Sequence, residues 1–149
     1  MNQIVGWIED NNSEEWNRIR LDTGLSHAQI QHFYEGNSFI FPTEIVELYQ
    51  WHDGGNGSFF IDAHGIYGDQ HFNSLGWGLS CGEDWSRDYC PDKKILALFA
   101  CEDAYWWTIL PDTSQEAAPI YVSDEPDFDT CSPNYPSLTA MLEEMIQRL

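Results

Sequence analysis

The chain has 149 residues and a net charge of −19, from 25 Asp plus Glu against 6 Lys plus Arg. One domain accounts for that length and can bury roughly 68–70% of its unfolded surface, and an aromatic share of 15% argues against disorder despite the charge. The excess of carboxylates disfavours direct contact with nucleic acid or an anionic membrane, whose phosphates it repels, and favours a basic partner.

Residues 1–22 are helical in tendency. Ile4, Ile8, Trp16 and Ile19 share a face, and Asn11-Asn12-Ser13 interrupts it, so one helix and two both fit. Ser26-His27-Ala28-Gln29 has the form of a capping box, with hydroxyl at the cap and amide at the third helical position. Ile30, Phe33 and Tyr34 follow as the buried face, and Gly36-Asn37 ends the segment. A second helix is predicted from Pro42, whose missing N–H suits a first helical position. Phe41, Ile45, Leu48 and Tyr49 form its apolar face, and Glu44 and Glu47 point into water. Gly54-Gly55 then permits positive φ and a sharp exit.

Strand-like residues follow at 58–62, with a further short strand at Ile66-Tyr67. Residues 73–92, rich in Gly, Trp and charge, read as an extended irregular loop on the sheet side. The apolar run from Lys94 to Cys101 is a buried strand, Glu102-Asp103 a turn, and residues 104–110 the second arm of a hairpin. Residues 119–123 make a third strand, with Pro119 at its start, where a lost N–H is tolerated. An acidic loop spans 124–136. Ser137 caps a last helix carrying Leu138, Met141, Leu142, Met145, Ile146 and Leu149 at helical spacing. Helices, then strands, then a helix predict one α+β domain with a mostly antiparallel sheet, packed with N-terminal helices and one C-terminal helix.

The Pro-initiated helix reading Ile-x-x-Leu-Tyr, followed by a Gly-Gly turn into the first strand, resembles the signature of the SUKH superfamily. These are the Smi/Knr-type proteins, many of which resemble immunity proteins of bacterial toxin systems. The order hairpin, Ile-Tyr-Val strand, acidic loop and terminal helix from Ser137 is similar to the family's second half, so the likeness covers about residues 25–149. Two positions depart from the pattern. Asp53 stands where Asn usually precedes the glycine pair, and Glu102-Asp103-Ala104 lacks the usual hairpin Gly. The resemblance implies a non-enzymatic protein without a cofactor, which blocks a toxin domain, often a nuclease, by stoichiometric binding. A Smi/Knr-like regulatory scaffold with an endogenous partner is the alternative.

The residues themselves offer few catalytic patterns. Gly78-Leu79-Ser80-Cys81-Gly82 matches the Gly-x-Ser-x-Gly nucleophile elbow, which needs a strained strand-to-helix turn and a later His. The last His is His71, before Ser80, so a small serine hydrolase is the weaker reading. His27, His32, His52, His64 and His71 show no His-Glu-x-x-His spacing, and no metal is expected. Cys81, Cys90, Cys101 and Cys131 lack Cys-x-x-Cys spacing, and with no signal peptide evident they read as reduced thiols of a cytoplasmic protein.

Surface candidates are more numerous. Asp124, Glu125, Asp127 and Asp129 form the densest acidic run and suit an electrostatic landing site for a basic partner. Glu83 and Asp84 beside Trp85 have the same character, softened by Arg87. Alternation on a strand places Trp106 opposite Tyr105 and Trp107. One of those faces packs in the core; the other, with Trp106, is a candidate partner anchor. Trp77 and Trp85, in a polar stretch, are further interface candidates.

Overall fold

A computed structural model describes residues 10, 23–35, 37–54, 58–60, 70–100, 104–123 and 132–148. The predicted start at Ser26 is realised as a capping box: its hydroxyl accepts the Gln29 N–H at 3.3 Å, and the Gln29 Oε1 accepts the Ser26 N–H at 2.9 Å. Helix α1 (His27–Tyr34) follows and buries Ile30. Helix α2 (Thr43–Trp51) has Pro42 as its cap residue, one position earlier than the sequence suggests. Its Ile45, Leu48 and Tyr49 are buried as expected. Past its end Gly54 takes φ +65°, so the sharp exit is real; Gly55 lies outside the described residues.

Among the described residues five strands make one antiparallel sheet in sequential order: β1 (Ser58–Phe60), β2 (Gln70–Phe72), β3 (Lys94–Ala100), β4 (Tyr105–Leu110) and β5 (Tyr121–Ser123). Helix α4 (Leu138–Arg148) ends the described chain. The protein is thus α+β with a mostly antiparallel sheet, as predicted. The hairpin pairs β3 with β4 from Lys94↔Leu110 to Ala100↔Tyr105, with an irregularity between Ala97 and Phe99. The expected strand at Ile66-Tyr67 and the helical tendency of 1–22, Asp10 excepted, fall outside the described residues. No described helix is long and apolar enough to cross a membrane.

Residues 73–92 overturn the sequence reading. They hold not a loop but the fifteen-residue helix α3 (Leu75–Tyr89). Its position follows from a gap in the sheet. Among the described residues β2 pairs with Phe99 and Ala100, and none of the described strands pairs with the first half of β3 on that side. Helix α3 lies there instead. Gly78 and Gly82 press so close that an added Cβ would stand 2.4 Å from the Ala97 carbonyl oxygen and 1.9 Å from that of Ile95. The helix straddles this edge and feeds both sides of the sheet. Leu75 joins the main core with Ile45, Leu48, Leu96 and Phe99; Trp85 joins a smaller cluster around Cys90, Ile95 and Trp107.

Glu44 is the second correction. It does not point into water. Its Oε2 accepts the N–H of Ala118 at 2.8 Å and of Leu138 at 3.0 Å, and its Oε1 accepts the Thr139 N–H at 3.1 Å. Leu138 and Thr139 open α4, where unpaired N–H groups and the helix dipole both favour a carboxylate. Ser137 caps the same helix as predicted, accepting the Ala140 N–H at 3.0 Å. One side chain of α2 therefore ties the β4–β5 connection and the last helix to the helical layer.

Candidate functional site

Helix α3 brings together Glu83, Asp84 and Trp85, three of the predicted partner-binding residues, so its construction decides what the site can do. Two acceptors hold its start. The Ser74 hydroxyl accepts the Trp77 N–H at 3.4 Å, and Asp53 Oδ1, arriving from the end of α2, accepts the Leu75 N–H at 2.9 Å. Asn73 fixes the entry to the helix. Its N–H donates to the Leu98 carbonyl at 2.9 Å, its amide to the Ala97 carbonyl at 3.1 Å, and its own carbonyl accepts from the Tyr49 hydroxyl at 3.2 Å. Burial, with Asp53 nearby, raises the Tyr49 pKa well above its usual value and keeps it a neutral donor.

On the outer side of α3, Glu83 and Asp84 are exposed, as a landing site requires. Arg87 reaches Asp84 at 2.8 Å and Asp88 at 3.3 Å, so part of the local negative charge is already matched within the helix. These pairs are solvent-exposed and contribute little to stability. Trp85 is half-buried, its ring edge-on to Tyr105 at 5.0 Å between centroids. It is anchored at one edge rather than standing in a loop. Trp77 is 51% exposed and Tyr89 59% exposed, near the two ends of the helix. Tyr89 was not among the sequence candidates; its place in the last turn became visible only with the helix itself.

Trp106 is a correction. At 6% exposure it belongs to the main core and cannot serve as a partner anchor. The alternation was read properly, because Tyr105 and Trp107 do lie in the other cluster. What the sequence did not show is that both faces of β4 are covered. Trp107 is fully buried, stacks on Tyr121 at 4.3 Å, and donates its indole N–H to the Ser123 hydroxyl at 3.1 Å. Asp124, Glu125, Asp127 and Asp129 lie outside the described residues.

Ser80 sits exposed in mid-helix, and the glycines on either side of it serve packing against β3. The strand-to-helix turn of a nucleophile elbow is absent at this motif. Burial and then Asp84 push the Cys81 thiol pKa up, which is opposite to the shift that activates a nucleophilic cysteine. Among the described residues no three His, Cys, Asp or Glu side chains gather as a metal site. No protein-family model matches the chain, and no curated protein matches it in sequence.

Asp53 gives the site a measurable pH signature. Burial raises its pKa, and the Leu75 N–H and His52 offset this only in part. A carboxyl whose folded pKa is raised favours the folded state fully below its unfolded pKa and loses that contribution as pH rises through the folded value. Asn in its place keeps an oxygen for the Leu75 N–H without the buried charge. Asp53→Asn should therefore be more stable than the parent at neutral pH. That advantage should shrink as pH falls through the Asp53 folded pKa, a comparison that urea titrations of both proteins at neutral and successively more acidic pH will make.

Proposed function

We propose that this chain is a non-enzymatic, cytoplasmic binding protein of the SUKH kind, an immunity protein that neutralises a cognate toxin domain by stoichiometric binding. The observation that carries this reading is the charge of −19 on a folded α+β domain. A surplus that large works against the compact state by self-repulsion, and a basic partner offsets it on binding. A nuclease toxin has the matching surface, because it must hold phosphates. The outer segments of the order support the same reading: a helix pair and the Gly54 turn before the antiparallel sheet, and a terminal helix begun at Ser137 after it, with α3 inserted between β2 and β3. Binding rather than turnover agrees with a helical Gly-x-Ser-x-Gly and an unactivated Cys81.

The test is affinity purification of the tagged chain from its native host. A basic protein should be recovered at a fixed one-to-one ratio. Expression of that protein alone should arrest growth, and co-expression of this chain should restore it. A one-to-one partner that is harmless alone would instead indicate the regulatory-scaffold function. Recovery of no stoichiometric basic protein would reject both.

A further inference from the structure

Trp77, Cys81 and Trp85 are spaced four residues apart on α3, so they line one flank of that helix. At the end of this flank Trp85 meets Tyr105 of β4 edge-on at 5.0 Å, which carries the apolar strip from the helix onto the sheet. Trp77 opens the strip with 51% of its surface in water, although the neighbouring Gly78 is buried against β3. The Ser74 cap engages the Trp77 backbone N–H and leaves the indole ring outside. Lone exposed apolar residues are ordinary, but a graded strip from an open indole to a half-buried one has the anatomy of an interface anchor.

Charge decides what covers it. Asp84 and Asp88 lie on the outward side of the same flank, on a chain at −19. Arg87 already spans these two carboxylates, at 2.8 and 3.3 Å, and offsets one of their two charges, so the flank keeps a net negative charge within a chain at −19. An indole face attracts guanidinium by cation–π interaction, more strongly than any other aromatic ring. We propose that the strip from Trp77 through Cys81 and Trp85 to Tyr105 is the docking surface for a basic segment of the partner that bears arginine next to apolar side chains. This rests on the reading of the chain as a binding protein. It commits the contact to this flank of α3, where the indole of Trp77 takes the guanidinium and Trp85 and Tyr105 take the apolar neighbour.

The experiment uses the full chain labelled with 5-fluorotryptophan and a twelve-residue peptide of alternating Arg and Leu as probe, with a Glu-Leu peptide as control. The fluorine resonance of Trp77, assigned by its loss in Trp77→Phe, should shift saturably with the Arg-Leu peptide and not with the control. Trp77→Ala should weaken binding by about tenfold or more, as loss of an anchor does. Trp77→Phe should retain part of the affinity, and Ile40→Ala, another exposed apolar residue, should leave it unchanged. Equal affinity for Trp77→Ala and the parent, or a saturable shift confined to other tryptophans, would overturn the proposal by making the attraction one of net charge alone. Failure here is separable from failure of the function. A native partner still held one-to-one by Trp77→Ala would refute the strip and leave the binding role standing.

Discussion

Gly82→Ala should destabilise the domain by roughly 2–4 kcal/mol, whereas Gly76→Ala, in the first turn of the same helix, should stabilise it by up to about 1 kcal/mol. Helix propensity alone predicts a gain at both positions, since alanine is the better helix former. Packing reverses the sign at one of them. A Cβ on Gly82 would stand 1.9 Å from the Ile95 carbonyl oxygen and 2.5 Å from its carbon. Those atoms belong to the backbone of β3, which pairing with β4 holds in place along its length. The helix has to move outward, and the burial of Leu75 and Ser86 is lost in part. At Gly76 the nearest obstacle is the edge of the Phe33 ring at 3.5 Å, an ordinary contact. Urea denaturation of the two variants against the parent checks both signs. A stabilised Gly82→Ala would mean that α3 does not lie against β3 as described.

Glu44→Ala should cost about 2–4 kcal/mol, a large effect for a glutamate near the surface. Three backbone N–H groups lose their acceptor together, two of them at the start of α4, where no helical carbonyl can replace it. Glu44→Gln should fall between alanine and the parent, because its amide keeps one accepting oxygen but presents an NH₂ group to the other donors. Glu47→Ala, on the exposed side of the same helix, should change stability by less than about 0.5 kcal/mol. Thermal or urea melts of the three proteins are sufficient. If Glu44→Ala and Glu47→Ala melt alike, the carboxylate is not the tie that the geometry describes.

Where structure follows from neighbours in sequence, it was legible. The Ser26–Gln29 capping box, the apolar face of α2, the β3–β4 hairpin, the positive φ of Gly54 and the Ser137 cap each depend on residues within a few positions. Helix α3 was not legible by the same rules. Three of its fifteen residues are glycine, each costing about 1 kcal/mol relative to alanine, and its tryptophans and acids belong to no single polar or apolar face. Contact with β3 offsets that weak propensity. One signal was available: Ser74, Gly78, Gly82 and Ser86 recur every fourth residue, a small-residue stripe that allows close approach of a backbone. The Glu44 tie had no local signal, since its donors lie 74 to 95 residues away. Of the site residues, Glu83, Asp84 and Trp85 stand out as a group in the sequence, but their Gly-rich, charged surroundings read as a loop. The burial of Trp106 is not legible in the same way, because a strand pattern distinguishes two faces without telling whether both are covered.

The glycine contact at the edge of β3 also bears on self-association. A half-paired strand offers a row of carbonyls and N–H groups to any passing chain, and such rows seed aggregation. Among the described residues the row is shut by helix α3, and at the β5 edge Asn134 Oδ1 accepts the Val122 N–H at 2.7 Å while Tyr135 bridges Ile120. At neutral pH mutual repulsion between chains at −19 guards these edges as well. Near the sequence pI of about 4.1 that guard disappears, whereas the glycine seam along β3 is a packing contact that carries no charge. A helix that has to sit flush against a strand can thus protect a protein in acid, when its charges no longer do.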